Sequence, residues 1–82
     1  MKLNKAFALR VKEVLKDKNM TQYKLARETG LYQSTMTDIL NCKYKSANFT
    51  NMVLIIRALG MSMSEFFNSE YFDFGNLEIE EK

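Results

Sequence analysis

An 82-residue chain with 46% hydrophobic residues is long enough to bury one compact core, and we therefore expect one folded body. It contains one cysteine and no histidine, which excludes a disulfide within the chain and the usual zinc ligand sets, and we expect no metal or cofactor. Residues 1–68 carry 11 Lys/Arg against 5 Asp/Glu and residues 69–82 carry 1 against 5, so a basic body precedes an acidic tail.

The first predicted helix covers residues 3–18, where apolar residues recur three or four positions apart, as on one face of a helix. Asn19 is expected to end this helix. The residues assigned to its buried stripe are Leu3, Phe7, Val11, Val14 and Leu15. The residues assigned to its outer face are Arg10, Lys12, Glu13 and Lys16.

A second, short helix is predicted to begin after Thr21, a good N-cap residue, and to end at Gly30. A third helix follows from about Gln33 to Leu40, and the polar, basic segment 41–49 is predicted to be a loop. The residues expected to pack these two helices against the core are Leu25, Ala26, Met36, Ile39 and Leu40.

Thr50 is predicted to cap a fourth helix over residues 51–59, which is apolar nearly all round and should lie in the middle of the core. Gly60 is expected to end it. Ser62 and Glu65 have the spacing of a capping box, which predicts a short fifth helix. The large apolar residues expected in the core from Met36 onward are Met36, Phe49, Met52, Phe66 and Phe67.

The acidic tail, residues 69–82, interleaves aromatic and aliphatic side chains with carboxylates. Two interpretations of this pattern remain open. The apolar residues could fold onto the body or onto a second subunit, which is the interpretation we favour. Alternatively, they form a segment that becomes ordered on contact with a protein partner.

The most informative stretch is QYKLARETGLYQSTMTDI, residues 22–39. Its fifth residue is Ala26 and its ninth is Gly30, and apolar residues occupy the fourth, tenth, fifteenth and eighteenth positions. Two helices that cross at about 90–120° through a tight turn need a small side chain at the crossing and a residue that tolerates positive φ at the turn. Ala26 and Gly30 meet these two needs, so the stretch predicts a helix-turn-helix.

This stretch resembles the helix-turn-helix of phage-repressor-type regulators, the Cro/cI-like or XRE family. The resemblance covers residues 5–67 and is most specific in MTQYKLARETGLYQSTMTDILN and NMVLIIRALGMSMSEFF. It implies an all-α, five-helix DNA-binding domain over residues 1–68, followed by the tail over residues 69–82. It also implies binding to double-stranded DNA, usually as a homodimer on a palindromic operator, and hence a transcriptional regulator of the repressor kind.

The resemblance also implies which residues contact DNA. Gln22 opens the second helix and would brace the DNA backbone or a neighbouring glutamine, and Asn41 matches a phosphate-contacting asparagine of the family. A glutamine can bond adenine N6 and N7 together, and hydroxyl groups suit several bases. The residues expected to read bases are Gln33, Ser34, Thr35 and Thr37. The residues that lie just beyond the recognition helix, where phosphate contacts would fix its register, are Lys43, Tyr44 and Lys45.

Four residues depart from the family pattern, and one of them, Ala47, replaces the common proline of the following loop. Tyr32 stands where a serine or threonine usually caps the recognition helix, so we expect a weaker cap or a shifted boundary. Cys42 replaces a glycine in the left-handed conformation, which costs about 1 kcal/mol unless Asn41 adopts that conformation instead. Asp38 would face phosphates, and it either accepts a hydrogen bond from cytosine N4 or pairs with a nearby Lys or Arg.

Composition also limits the other classes of function. An unpaired cysteine, a charged N-terminal segment and the lack of an apolar run of about 20 residues favour a cytoplasmic protein that does not contact a membrane. Side chains suited to acid–base or nucleophilic catalysis are scarce, so we do not expect an enzyme. The alternative to a repressor is a protein-interaction module, such as an antitoxin or adaptor, whose acidic tail binds a protein partner.

Overall fold

The computed structural model describes residues 1–44 and 48–79. Two short 3₁₀ turns, Glu70–Phe72 and Phe74–Asn76, follow the last α-helix. The described part of the chain contains no strand, which confirms the predicted all-α fold, and none of its helices is long and apolar enough to cross a membrane. Its five helices are α1 (Leu3–Asp17), α2 (Gln22–Thr29), α3 (Gln33–Leu40), α4 (Phe49–Ala58) and α5 (Met63–Phe67).

All five helices contribute to a single apolar core. α1 packs against α3 and against the first 3₁₀ turn, α2 packs against both α3 and α4, and α5 packs against α4. None of the buried residues in the described ranges is polar or charged, so hydrophobic burial alone holds the centre of the fold. The residues with no exposed surface are Ala6, Val11, Leu25, Ala26, Met36, Ile55 and Phe66.

Gly30 follows α2 in the left-handed conformation, and three further helices end with a left-handed residue and one additional backbone hydrogen bond: Asn19 after α1 (φ 53°), Cys42 after α3 (φ 58°) and Gly60 after α4 (φ 74°). This is the Schellman motif, which satisfies carbonyl groups that the helix leaves without a partner. The predicted ends at Asn19 and Gly60 are confirmed. The bonds that close the motifs run from the amides of Met20, Lys43 and Met61 to the carbonyls of Leu15, Asp38 and Ile56.

The predicted helix starts are confirmed for α2 and α5 but not for α4. Thr21 accepts a hydrogen bond from the Lys24 amide, and Ser62 and Glu65 form a reciprocal capping box that lowers the pKa of the Glu65 carboxyl. For α4, the prediction that Thr50 is the cap was wrong. The Asn48 side chain accepts a hydrogen bond from the Asn51 amide at 3.1 Å, so the helix begins two residues earlier than expected.

Two apolar residues predicted to be buried are exposed, because each lies in the first turn of its helix, beyond the reach of the core. Phe49 opens α4 and is 67% exposed, and Leu3 opens α1 and is 51% exposed. The prediction that they belong to the core was therefore wrong. The other apolar residues assigned to the stripe of α1 are all buried.

Arg10 was predicted on the outer face of α1, yet it is half-buried against α5. Its Nε donates to the carbonyl of Phe66 at 2.7 Å, and its Nη2 donates to the carbonyl of Glu65 at 3.0 Å. Its Nη1 pairs with Glu13 at 2.6 Å, and the guanidinium lies 5.7 Å from the centre of the Phe66 ring. Arg10 thus satisfies the last carbonyls of a helix too short to hold itself in place.

The described part of the tail folds back onto the body. The Phe72 ring packs edge-on against Phe67, with ring centres 4.9 Å apart, and lies 6.0 Å from Phe66. Further along, the Glu78 amide donates to the Met1 carbonyl at 2.7 Å. These contacts agree with the interpretation that the tail folds onto the body, although Phe74 remains 83% exposed.

We predict that Arg10→Met lowers the free energy of unfolding by about 1–3 kcal/mol, because it removes charge-assisted hydrogen bonds to two carbonyls of α5. Urea denaturation followed by circular dichroism measures the change. Lys12→Met is the matched control, since Lys12 is an exposed cation on the same helix and its replacement should alter stability by no more than about 0.5 kcal/mol. Equal stabilities of the two variants would contradict the role of Arg10.

Candidate nucleic-acid interface

The turn between α2 and α3 is built as the sequence predicts. Gly30 has φ 79°, and its amide donates to the Ala26 carbonyl at 3.1 Å. A Cβ atom placed on Gly30 would meet no atom within 4 Å, so the turn requires glycine for its backbone conformation and not for space. Ala26 has no exposed surface, as expected of the small residue where two helices cross.

Two side-chain hydrogen bonds join the exposed parts of α2 and α3. Gln22 Nε2 donates to Thr37 Oγ1 at 2.9 Å, and Gln33 Nε2 donates to the Tyr23 carbonyl at 3.1 Å. Gln22 and Gln33 each open their helix, so the bonds connect the start of one helix to the other. The polar face of α3 is therefore fixed to α2 by hydrogen bonds, in addition to the packing of the buried side of α3 against the core.

The structure brings together three of the four residues predicted to read bases. Gln33, Ser34 and Thr37 are exposed and lie within about 100° of one another around α3. Thr35 is half-buried and lies outside this sector, about 200° around the helix from Gln33. Asn41 is exposed at the C-cap of α3, on the same side as Ser34.

The start of α3 has the weak cap that the sequence indicates. Tyr32 occupies the N-cap position and makes no side-chain hydrogen bond to the first turn. The boundary itself is unshifted, since α3 begins at Gln33 as predicted. The Tyr32 ring is instead 82% exposed beside the polar face of α3.

Asp38 pairs within the chain, which is one of the two alternatives left open for it. Its Oδ2 lies 3.7 Å from Lys43 Nζ and accepts a hydrogen bond from the Tyr44 hydroxyl at 3.4 Å. The Lys43 side chain stays 68% exposed, so the ion pair contributes little to stability but reduces the negative charge on α3. Lys45 and Ala47 lie outside the described residues.

Sequence reasoning missed two features that border α3. Asn4 Nδ2 donates to the Tyr44 carbonyl at 2.6 Å, which ties the segment after α3 to the start of α1 across 40 residues. On the outer face of α2, Tyr23 is 61% exposed and the Arg27 guanidinium lies 5.9 Å from its ring centre. The spacing of Tyr23 and Arg27 on one helix face could have indicated their contact, whereas no local signal points to Asn4.

Cys42, and not Asn41, adopts the left-handed conformation after α3: Cys42 has φ 58° and Asn41 has φ −95°. The Cys42 side chain is half-buried against the core. A residue with a Cβ in this conformation is strained, so the C-terminal end of α3 carries a local cost in free energy.

Comparison with known proteins adds one finding. The family model of the Cro/C1-type HTH DNA-binding domain matches residues 10–70, which is more than half of the chain. Searches of the curated proteins and of the solved structures found no match.

We predict that Cys42→Gly raises the free energy of unfolding by about 0.5–1 kcal/mol, because glycine adopts positive φ without strain. Thermal denaturation should show the melting temperature rising by about 2–6 °C. Cys42→Ala is the control, since it removes the thiol but keeps the Cβ atom and should give no gain. If both variants have the same melting temperature, the strain at this position is negligible.

Proposed function

The chain belongs to the Cro/C1-type helix-turn-helix DNA-binding domain family, and from this membership we propose that it is a sequence-specific transcriptional regulator that places α3 in the major groove of duplex DNA. The observation that carries the proposal is the exposed polar face of α3, which two hydrogen bonds fix to α2. A groove-reading helix needs such a face, because base discrimination requires side chains held in a defined orientation.

Gln33, Ser34 and Thr37 are the proposed base-reading residues. Their amide and hydroxyl groups match the donors and acceptors on base edges in the major groove, and the Thr37 methyl can pack on a thymine methyl. All three are exposed on the same face of α3. Thr35, which is half-buried, is assigned the edge of this interface.

The proposed contacts to phosphate flank the base-reading face. Gln22 lies at the start of α2, and Asn41, Lys43 and Tyr44 are exposed at or after the end of α3. Lys45 is proposed as a further contact from its position in the sequence alone. Contacts of this kind set the register of α3 on the duplex without reading the sequence.

We further propose that the protein acts as a homodimer and as a repressor. One eight-residue recognition helix reads few base pairs, whereas two copies related by a two-fold axis would place their helices about 34 Å apart, on successive major grooves. A bound dimer lowers transcription by occupying the operator. Phe66 is fully buried and Phe67 packs on Phe72, so both α5 phenylalanines already have packing partners within the subunit.

The proposal predicts binding to duplex DNA that weakens steeply with salt, because basic side chains displace condensed counterions. Lys43→Ala should weaken binding to every sequence by a similar factor and reduce the slope of log affinity against log salt by about 1. Gln33→Ala should instead cost about 1–3 kcal/mol of discrimination at one base pair. Fluorescence anisotropy with labelled duplexes at several salt concentrations measures both effects.

Lys18→Ala is the matched control for Lys43→Ala. Lys18 caps the end of α1, whereas Asn4 near the start of α1 bonds the Tyr44 carbonyl, so Lys18 lies about 20 Å along α1 from the segment that carries Lys43. Its loss removes the same charge but should leave the salt slope unchanged. Absence of binding to any duplex at low salt would refute DNA binding, and equal effects of the two lysine variants would refute the proposed face.

A protein-interaction role remains the second candidate, and the exposed Phe74 and Ile79 favour it. Two substitutions in the tail, compared with each other, test whether the tail stabilises the folded body or is available to a protein partner. Phe72→Ala should lower the stability of the protein by about 1–3 kcal/mol because it removes the ring that packs on Phe66 and Phe67. Phe74→Ala, which replaces an exposed ring, should change it by no more than about 0.5 kcal/mol.

Chemical denaturation and sedimentation equilibrium measure stability and oligomeric state for both variants. If Phe72→Ala leaves both unchanged, the tail contributes nothing to the body or to a dimer. Its apolar residues would then be available to a partner, and the antitoxin or adaptor role would become the better proposal.

A further inference from the structure

We propose that Gln22 sets the base preference of Thr37 by fixing the direction of the Thr37 hydroxyl, so that Thr37 reads a hydrogen-bond acceptor on the base edge. The acceptors of the major groove are the N7 atoms of purines, O6 of guanine and O4 of thymine. This inference rests on the proposed function, in which α3 lies in the major groove. It assigns Gln22 a positioning role in specificity, beyond its proposed contact to the DNA backbone.

The argument begins with the chemistry of the bond between the two side chains. Gln22 Nε2 lies 2.9 Å from Thr37 Oγ1. An amide nitrogen carries two donor hydrogens and no acceptor, so the Thr37 oxygen must accept in this bond. Gln22 is half-buried at the start of α2, which limits the orientations open to its amide, whereas Thr37 is exposed.

Acceptance of this bond leaves the Thr37 hydroxyl proton free to donate elsewhere. A threonine within a helix often gives its proton to a carbonyl of the preceding turn, as Thr29 does to the Ala26 carbonyl at 2.7 Å. Among the described residues, the Thr37 hydroxyl makes no such bond, and its one hydrogen bond is the one it accepts from Gln22. Its proton is therefore available on the exposed face of α3.

Burial of this proton against a base then decides the preference. A donor that enters an interface without a partner loses its hydrogen bonds to water and gains none in return, which weakens binding. The exocyclic amino groups of adenine and cytosine are themselves donors and cannot accept the Thr37 proton. A site that presents N7, O6 or O4 to Thr37 satisfies it, so such sites bind more tightly.

Gln33, the neighbouring base-reading residue, is also hydrogen-bonded to α2, but this bond does not limit it to one kind of base contact. Gln33 Nε2 donates one hydrogen to the Tyr23 carbonyl at 3.1 Å, which leaves its second hydrogen and its oxygen for a base. Gln33 therefore keeps one donor and one acceptor, the pair that adenine N7 and N6 require. The base pair read by Gln33 thus provides an internal reference for changes at the pair read by Thr37.

The test is selection of binding sites from random duplex DNA with the full 82-residue chain, followed by affinity measurements on the selected site and its single-base variants. Thr37→Val keeps the shape of the side chain and removes the hydroxyl. We expect it to reduce discrimination at one base pair by about three- to tenfold, the effect of one neutral hydrogen bond. Base preference at that same base pair is then measured for the Gln22 variants.

Gln22→Glu replaces the donor by a carboxylate that only accepts, so the Thr37 hydroxyl must turn and donate to it. The Thr37 oxygen would then face the groove as an acceptor, and the preference should shift about three- to tenfold toward adenine N6 or cytosine N4. The added charge weakens binding to all sequences alike, so relative base preferences are compared. Gln22→Met, which makes no hydrogen bond, should relax the preference without reversing it.

The double variant Gln22→Met/Thr37→Val tests whether Gln22 acts through Thr37. It should show the same base preferences as Thr37→Val alone, and preference at the pair read by Gln33 should stay unchanged in every Gln22 variant. If the wild-type chain selects a site and Thr37→Val alters one position, but the Gln22 variants leave that position as it was, the inference is overturned and the proposed function stands. If the wild-type chain selects no site, the proposed function fails and the inference fails with it.

Discussion

The backbone turn at Gly30 is the constraint on which the rest of the interface depends. Its φ of 79° is open to glycine and strained for most other residues, and it sets the angle at which α3 leaves α2. Because Ala26 is fully buried and small, the two helices can approach closely at their crossing. The exposed face of α3 and the two hydrogen bonds that hold it to α2 follow from this one geometry.

The position of α5 depends on a different interaction. α5 has five residues, too few for an isolated helix to be stable, and its end is held by Arg10 from α1. Phe66 fills the space beneath it, with Phe7 on one side and Phe72 from the tail on the other. The tail therefore completes an aromatic cluster that begins in the first helix, and the body and the tail share one structural unit there.

Local signals account for what could be predicted from the sequence. Helix ends were correct at Asn19 and Gly30 because the residue at each position has an intrinsic conformational preference. The start of α4 was not, since Asn48 and Thr50 are both good caps and local chemistry does not choose between them. The hydrogen bond from Gln22 to Thr37 was beyond sequence reasoning, because it joins two residues 15 positions apart and depends on how their helices cross.

The separation between the core and the polar face of α3 shapes how this protein can diverge in evolution. Ser34 is exposed and, within the described ranges, its side chain makes no hydrogen bond, so substitutions there should leave folding intact and, in the proposed function, alter recognition in single steps. Thr37 is joined to Gln22, and a change at either position disturbs the other. In homologues, we therefore expect the residue at the position of Ser34 to vary independently, and the residues at the positions of Gln22 and Thr37 to covary. A change of base preference would then need one substitution at the first position but two at the others, so the first change should be the more frequent.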